Sequence, residues 1–490
     1  MRTITAYRPP HGVTLRNSAT AALVRVPCHI YTQLGPGPQV HFFGTGTTLI
    51  QRTTGMRGKR GPESQVRRVA GASFIGTTIE WYDFFIYATA AQLVFGQHFF
   101  TALSPAAASL TSVTTIGVTF VVRPLGGILM GHFGDRLGRR TMLVLALLLM
   151  GVATVGVGLL PTYDQIGLAA PILLVVFRLM QGLSAGGEWG GAALMAVEHA
   201  PVHRRGLFGA FPQLGAPTGL VVANGAFFTV TTVLSADQFT AWGWRLPFLF
   251  SAVLIIVGLF IRLRVNESPE FARLKEQEQR SRRPITEVLR HHPRTLAVAI
   301  GVFVANIGIG YVFLAFILVH ATTRLGVGQN TMLLLIVLGA LFWIATTLWA
   351  AWRSDAVGRR PVYLIGSVWL IVWAFPFFLL LDTASVPLML AAVLMLAVGL
   401  GLTYGPQAAL YAELFPARIR YSGASFAYAV AAILGGGITP FAAAVLTEST
   451  GTTMSVSAYM VMLGLITLIA VLKIPETADQ VRERRREQPQ

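Results

Sequence analysis

Long apolar runs separated by short polar stretches dominate the pattern of this 490-residue chain. Each run is about as long as the helix of roughly 20 residues that crosses a hydrocarbon core of about 30 Å. Strands of soluble proteins are shorter, and a membrane β-barrel alternates polar and apolar positions. The pattern predicts twelve membrane-spanning helices, approximately at 70–95, 110–130, 141–160, 171–197, 206–230, 244–263, 295–320, 331–351, 361–381, 386–412, 422–446 and 454–473.

The polar stretches suggest how the chain is divided. The longest one between spans, 264–294, separates the twelve spans six and six. We therefore predict an all-α membrane protein with five segments. They are a disordered or mis-annotated N-terminal extension at 1–66, a six-helix bundle at 67–263, a cytoplasmic central loop at 264–294, a second six-helix bundle at 295–473 and a basic cytoplasmic tail at 474–490.

Composition strengthens the membrane interpretation. Hydrophobic residues make up 54% of the chain and charged residues 12%, about half the charged share of a soluble domain. This excludes a water-soluble enzyme of comparable length and a disordered or fibrous chain. The single cysteine, Cys28, excludes a disulfide framework and a cysteine-based metal cluster. We expect neither a metal nor a cofactor.

The net charge of +17 reflects arginine and lysine residues that are concentrated in alternate loops. Because positive charge stays on the cytoplasmic side, this asymmetry predicts a multi-pass protein of the inner (plasma) membrane with both termini in the cytoplasm. The lipid bilayer explains the charge, so no nucleic-acid partner is expected. The basic loops lie around 136–140, 204–205, 264–294, 353–360 and 418–420, whereas 96–109, 161–170 and 447–453 carry neither lysine nor arginine.

The two halves repeat each other in sequence. The segment 134–140 (GDRLGRR) follows the second span, and 354–360 (SDAVGRR) follows the eighth. A second match pairs Glu198, Pro201 and the arginines after them with Glu413, Pro416 and theirs. Repeated halves are a common architecture of secondary transporters, which hold their substrate between them near the middle of the membrane.

Several of these segments resemble a known family. Residues 131–140 (GHFGDRLGRR) resemble the signature loop of the major facilitator superfamily, and 178–182 (RLMQG) resembles the arginine motif of its fourth helix. Three further segments, 76–87 (GTTIEWYDFFIY), 123–127 (RPLGG) and 181–191 (QGLSAGGEWGG), resemble the metabolite:proton symporter family within it.

The resemblance extends over about 68–475 and implies twelve helices in two pseudo-symmetric six-helix bundles. It implies secondary transport, similar to that of bacterial importers of proline/betaine, α-ketoglutarate, citrate and shikimate. It also implies a part in proton transfer for Arg178.

Charged residues inside spans are energetically costly and indicate function. Glu80, Asp83 and Tyr87 lie at helical spacing on one face of the first span. A carboxyl group in a partly dry cavity can change its protonation state near neutral pH. Asp83 and Glu80 are therefore candidates for proton coupling, with Asp83 favoured because it lies deeper in the span. The alternative is that each is permanently paired with an arginine.

Two arginines lie within spans. Arg123 can bind a substrate carboxylate with its planar guanidinium, or pair with Asp83 or Glu80. Arg178, Gln181 and Glu188 form a stripe of about 80° on the fourth span, which has to face the bundle interior. We expect Arg178 and Glu188 to act in proton coupling as possible partners, unless the stripe is a packing network.

Uncharged polar residues complete the candidate substrate site. Each of them can instead form an ordinary hydrogen bond between helices. Together with Arg123, the candidates are Tyr87, Gln181, Gln213, Asn224, Asn306, Tyr404 and Gln407.

Charged residues at the ends of the spans predict a cytoplasmic gate. Ion pairs between these loops would close the gate in one state and break in another. The competing interpretation is anchoring at lipid headgroups. The gate candidates are Asp135, Arg136, Arg139, Arg140, Glu198, Asp355, Arg359, Glu413 and Arg418.

These observations predict proton-coupled uptake of a small organic solute, either a carboxylate metabolite or a betaine/proline-type osmolyte, by a working monomer. The sequence has no G-x-x-x-x-G-K-[ST] phosphate loop, so an ion gradient has to drive transport. A drug/metabolite:proton antiporter of the same fold is the main competing hypothesis, although 215–219 (GAPTG) departs at Ala216 from the glycine of the antiporter motif. Two further hypotheses are a membrane-embedded enzyme and a receptor with a transporter fold.

Overall fold

The computed structural model describes residues 62–277 and 283–476, together with three short strands nearer the N-terminus. β1 (Leu23–Val24) and β2 (His41–Phe43) both pair antiparallel with β3 (Thr47–Leu49). Most of the predicted extension at 1–66 and of the tail at 474–490 lies outside the described residues, although the first helix already begins at Pro62.

The first half of the bundle begins at Pro62 and consists mainly of α-helices. Short 3-10 turns directly precede three of them, at Val202–Arg204, Phe211–Leu214 and Gly243–Arg245. Its helices are α1 (Pro62–Leu93), α2 (Phe95–Phe99), α3 (Pro105–Leu137), α4 (Arg139–Leu159), α5 (Tyr163–Ile166), α6 (Ala169–His199), α7 (Arg205–Gly209), α8 (Gly215–Val233), α9 (Ala236–Ala241) and α10 (Leu246–Leu263).

The central loop contributes two short helices, and the second half then resembles the first in its order of elements. A 3-10 turn at Ala417–Ile419 and π-helical segments at Val312–Phe316 and Ala432–Gly437 interrupt this half. The helices are α11 (Pro269–Glu276), α12 (Pro284–His291), α13 (Pro293–Tyr311), α14 (Ile317–Thr323), α15 (Gln329–Val357), α16 (Arg359–Leu381), α17 (Val386–Tyr404), α18 (Gln407–Leu414), α19 (Arg420–Ala431), α20 (Thr439–Thr450) and α21 (Met454–Leu472).

Among the described residues, eleven helical segments are long and apolar enough to cross a membrane. They coincide with the second to twelfth predicted spans. The remaining predicted span is α1, which has 32 residues but is less apolar because Glu80 and Asp83 lie along it. Glu80 and Asp83 are buried rather than turned outward, so the bundle interior accommodates them.

Glycine defines the same tight turn in both halves. Gly138 joins α3 to α4 with φ 112°, and Gly358 joins α15 to α16 with φ 107°. Side chains with a Cβ rarely adopt this conformation. The two turns therefore bring the arginines that follow them, Arg139 and Arg359, to equivalent positions at one end of the bundle.

Glycines also allow α3 and α6 to pack with their backbones in contact. A Cβ at Gly186 would overlap the carbonyl oxygen of Arg123, and a Cβ at Gly126 would overlap that of Leu183. Such close approach is typical of helix pairs in membranes. It fixes Arg123 on α3 relative to Arg178 on α6.

We expect Gly186→Ala to destabilise the protein by about 1–3 kcal/mol, because the added methyl group would push two backbones apart. Gly117→Ala on α3 is the matched control, since a Cβ there meets no described atom within 4 Å and alanine favours helix. Thermal unfolding in detergent should show a lower midpoint for Gly186→Ala alone. Equal midpoints for the two variants would contradict the packing argument.

Candidate functional site

Aromatic side chains from both halves meet at the centre of the bundle. Trp189 on α6 stacks on Tyr428 on α19 with ring centroids 4.2 Å apart, and Phe303 on α13 stacks on the same tyrosine at 4.7 Å. Trp189 Nε1 donates to Gln213 Oε1 at 2.5 Å. The halves are therefore in direct contact at the centre in this conformation.

A small cavity lies beside this stack. Its walls include Trp81, Asn306, Tyr311, Trp343 and Tyr404. Its volume of ≈ 20 Å³ is enough for about one water molecule. A metabolite would therefore need the halves to separate before it could enter.

Several buried hydrogen-bond donors around this centre have no protein acceptor among the described residues. They are Arg123 Nε and Nη1, Arg178 Nε and Nη2, Tyr311 Oη, Trp343 Nε1 and Gln407 Nε2. Burying a donor without a partner costs free energy, and few such groups remain in native proteins. This excess of donors favours a ligand that carries acceptors.

The two arginines contact aromatic faces rather than carboxylates. The guanidinium carbon of Arg123 lies 5.0 Å from the ring centroid of Phe120, and that of Arg178 lies 3.7 Å from the ring centroid of Tyr87. Within the described ranges, neither arginine has a carboxylate oxygen within 4 Å. The suggested pair of Arg123 with Asp83 or Glu80 is thus not formed in this conformation.

Asp83 is linked to Arg178 by a continuous chain of hydrogen bonds. Arg178 Nη1 donates to Gln181 Oε1 at 2.7 Å, Gln181 Nε2 donates to Thr154 Oγ1 at 2.8 Å, and Thr154 Oγ1 donates to Asp83 Oδ2 at 2.9 Å. Ser251 Oγ donates to the other carboxyl oxygen at 2.6 Å. Four helices therefore contribute to one buried polar chain.

The structure also gives partners to most of the uncharged candidates. Gln213 Nε2 donates to the Tyr404 carbonyl at 3.2 Å, and Gln407 Oε1 lies 3.5 Å from the same nitrogen. Tyr87 and Thr115 share a hydrogen bond of 2.7 Å between their hydroxyl groups. Asn224 is half-buried on α8 and joins none of these hydrogen bonds around the centre.

Asn306 lies at the wall of the cavity. Its Nδ2 donates to the Leu400 carbonyl at 3.0 Å and to Thr403 Oγ1 at 2.7 Å. Both donor positions of the amide are thus used within the second half, and its oxygen remains the group that can reach a ligand.

Arg178 and Glu188, expected as possible partners in proton coupling, are not in contact in this conformation. The two residues lie ten positions apart on α6, which corresponds to about 15 Å along the axis. Glu188 instead forms a buried ion pair with Arg262 of α10. Sharing a helical face did not bring them into contact, because a face extends along the whole helix.

At one end of the bundle, carboxylates of each half bind main-chain amides of the other half. We call this end, defined by Asp135, Arg139, Asp355 and Arg359, the basic face. Asp135 accepts from the amides of Tyr421 at 3.2 Å and Ser422 at 2.9 Å, at the start of α19. Asp355 accepts from the amides of residues 206 and 207 at 2.8 and 2.9 Å, at the start of α7. The first amides of a helix have no acceptor within the helix, and together with the helix dipole they favour a carboxylate at both places.

Buried ion pairs reinforce these contacts. Glu198 pairs with Arg139 at 3.1 Å and with Arg420 of the other half at 3.1 Å, and it also accepts from Ser268. Arg359 pairs with Asp355 at 2.8 Å and with Glu413 at 3.4 Å. The two halves are therefore held together at the basic face.

The remaining gate candidates have different partners. Arg418 pairs with Glu287 of α12 at 2.7 Å, and Arg140 Nη2 donates to the Leu263 carbonyl at 2.5 Å. Arg136 donates to His132 at 3.2 Å near the surface. Arg418 thus ties the central loop to the second half.

Sequence reasoning missed two acids of the basic face. Glu267 accepts from the amides of Arg139 and Arg140, and Glu476 accepts from those of Arg359 and Arg360. Each acid follows the last span of its half, so the sequence repeat could have predicted both acids.

The sequence analysis also missed three buried residues inside the bundle, namely Thr154, Ser251 and Arg262.

Comparison with known proteins supplies the wider context. The model of the Major Facilitator Superfamily matches residues 73–440 and 344–489. The chain is 42% identical over 425 residues to the inner membrane metabolite transport protein YhjE of Escherichia coli (strain K12), covering 86% of this chain and 96% of the relative. It is 38% identical to the shikimate transporter of the same organism, covering 84% and 95%. It is 32% identical to the proline/betaine transporter, covering 85% of each protein.

A solved structure confirms the predicted fold class. The proton:xylose symporter XylE bound to 6-bromo-6-deoxy-D-glucose superposes with a TM-score of 0.69 over 86% of this chain and 100% of that one, at 19% identity. At this identity the likeness concerns the fold.

Proposed function

Since this chain belongs to the Major Facilitator Superfamily and is a multi-pass membrane transporter rather than an enzyme, we propose that it imports a small organic carboxylate together with protons. Transport follows alternating access, in which the two halves open the central site to one side of the membrane at a time. The lipid bilayer, the solute and protons are its partners, and a monomer contains the complete pathway.

The unpaired guanidinium groups of Arg123 and Arg178 are the observation that carries this proposal. Both side chains are buried, and in the described part of the chain each has two nitrogen atoms without an acceptor. A buried cation is stable only when an anion or strong acceptors compensate it. A carboxylate offers two oxygen atoms that match the fork of a guanidinium.

An osmolyte of the betaine/proline type is the second candidate. The aromatic walls formed by Trp81, Trp343 and Tyr404 are suited to a quaternary ammonium group. However, Arg123 already lies over the ring of Trp81 at 5.8 Å, so such a group would meet a like charge there. The carboxylate end of either solute would bind at the arginines, which favours an acid without a positive charge.

Asp83 is the residue to which we assign the coupled proton. Its carboxyl group is buried and lies at the end of the hydrogen-bond chain from Arg178. Binding of a carboxylate at Arg178 would add a negative charge at one end of the hydrogen-bond chain. Protonation of Asp83 would remove a negative charge at the opposite end. Solute and proton would then bind cooperatively, which is the thermodynamic requirement of symport.

We assign the basic face to the cytoplasm because positively charged loops remain on that side. Both termini would then be cytoplasmic, in the bacterial inner membrane. The network of Asp135, Glu198, Asp355 and Arg359 would act as the closed cytoplasmic gate. Import requires this network to break after the solute has bound from outside.

Uptake into liposomes tests this proposal. Labelled carboxylates and betaines are offered to the purified protein with and without an inward proton gradient. We expect a carboxylate to accumulate only with the gradient, and Arg123→Gln to weaken its binding by about 10- to 100-fold through loss of charged hydrogen bonds worth about 1.5–3 kcal/mol.

The exposed Arg273 on α11 provides the matched control, and Arg273→Gln should transport normally. Accumulation of a betaine with unchanged affinity in Arg123→Gln would contradict the assignment of a carboxylate. Efflux driven by the proton gradient would indicate antiport instead.

A further inference from the structure

A second cluster of ionisable side chains lies in the first half. It is separate from the hydrogen-bond chain that links Arg178 to Asp83. Glu188 of α6 and Arg262 of α10 form an ion pair, and both side chains are almost completely buried. Arg262 Nη1 also donates to the carbonyl of Leu143 on α4 at 2.6 Å. One guanidinium thus joins three helices.

α1 lies against the same guanidinium. A Cβ at Gly76 would overlap the guanidinium of Arg262, so glycine there makes room for it. Glu80 follows one helical turn later on α1, and residues at this spacing have Cβ positions about 5–6 Å apart. Glu80 is buried too, with 4% of its surface exposed.

Both carboxyl groups have an unused oxygen atom. Within the described residues, Glu80 Oε2 and Glu188 Oε2 are buried without a hydrogen-bond partner. One guanidinium compensates one carboxylate, and a second ionised carboxylate in a buried site would carry a large desolvation penalty. The cluster of two acids and one arginine is electrically neutral when it holds one proton.

We propose that Glu80 and Glu188 share Arg262 and hold a single exchangeable proton between them. In this conformation Glu188 is ionised and paired, and Glu80 carries the proton. In the exchange, the proton leaves Glu80 and binds Glu188, while the guanidinium transfers its hydrogen bond from Glu188 to Glu80. Neither oxidation nor reduction takes place, and the net charge of the cluster stays zero.

Neighbouring charged and titratable groups set the protonation of the cluster. Asp83 lies one turn further along α1 and disfavours a second negative charge, whereas Arg123 favours it. The hydroxyl of Tyr421 on α19, in the second half, donates at 3.0 Å to the carbonyl of Gly187, the residue next to Glu188. Opening of the basic face would move Tyr421 and thereby change the surroundings of the shared proton.

Arg262 also lies in the wall of a separate cavity. This cavity has a volume of ≈ 20 Å³, and Ser73, Arg140 and Leu143 lie in its walls. The volume admits about one water molecule, and Arg140 belongs to the basic face. Arg262 of the cluster and Arg140 near the basic face therefore line the same small cavity.

This inference deepens the proposed function and rests on it, but its test does not require a known solute. Infrared spectroscopy of the purified protein at neutral pH detects the carbonyl band of a protonated carboxylic acid. We expect one such band to disappear in Glu80→Gln and also in Glu188→Gln, because the remaining carboxylate would be ionised by Arg262 in either variant. Arg262→Lys keeps the charge and should keep the band.

Asp237→Asn on the exposed α9 is the control and should leave the spectrum unchanged. Persistence of the band in Glu188→Gln would overturn sharing, since Glu80 would then hold its proton independently. Absence of any such band from the unmodified protein would overturn it as well. Size-exclusion profiles identify variants that fail to fold, and in that case the unmodified protein still tests the proposal, because absence of its band would overturn it.

The outcomes separate this inference from the proposed function. Solute uptake without proton dependence, combined with the expected spectra, would refute symport and leave the shared proton in place. Proton-driven uptake with a band that neither glutamine substitution removes would refute the shared proton alone.

Discussion

Replacing Asp83 by asparagine should abolish accumulation of the solute against its gradient. Asparagine has almost the same volume and keeps an oxygen that can accept from Thr154 or Ser251, so the hydrogen-bond chain changes little. It cannot take up and release a proton, and the imposed proton gradient would no longer drive transport. The ratio of internal to external solute should fall to about one.

Comparing accumulation with exchange distinguishes loss of proton coupling from loss of the folded structure in this variant. Exchange of labelled for unlabelled solute at equal pH on both sides should continue, because it needs no net proton movement. Asp237→Asn provides the control for a carboxylate that lies outside the bundle interior. Accumulation by Asp83→Asn at the wild-type level would mean that another acid couples the proton.

The second large effect is expected at the basic face. The double variant Asp135→Asn with Asp355→Asn removes the charge from both anchors that bind helix starts of the opposite half. A carboxylate at a helix N-terminus contributes about 0.5–2 kcal/mol. The population with an open basic face should therefore rise by about tenfold for each anchor.

Cysteine labelling measures this opening. Ser425 is fully buried between the halves near Gly190, and Cys28 is the only cysteine of the chain. In a Cys28→Ser, Ser425→Cys background, maleimide should react slowly with the parent protein and much faster with the double variant. Glu270→Gln on α11 serves as the control. Equal labelling rates would show that the two aspartates do not hold the gate.

The sequence predicted the fold and part of the basic face because these features depend on local patterns. Eleven spans follow from apolar length alone, and the repeated motif identified Asp135 and Asp355 as equivalent. The first span was recognisable by the same length, although Glu80 and Asp83 make α1 less apolar. The roles of the site residues remain predictions, since a local pattern does not specify which helices meet.

Such local patterns do not predict which side chains of different helices are in contact. Thr154 and Ser251 gave no signal because hydroxyl groups in membrane helices commonly bond to their own backbone. Glu188 was assigned to Arg178 because both share a face, whereas Arg262 reaches it from a helix about seventy positions later in the chain. The stack of Trp189, Phe303 and Tyr428 unites three helices whose order in space no periodicity encodes.

The anchors at the basic face have a consequence for how the protein tolerates change. Asp135 and Asp355 are bound by amide hydrogens, which every residue except proline possesses. A substitution at 207 can therefore alter the side chain without loss of the hydrogen bond to Asp355, provided that no proline is introduced, whereas a Cβ at 206 would overlap the carbonyl oxygen of Ala351. The two acids are thus constrained by their charge, whereas the residues that supply the amides are constrained by the space around them.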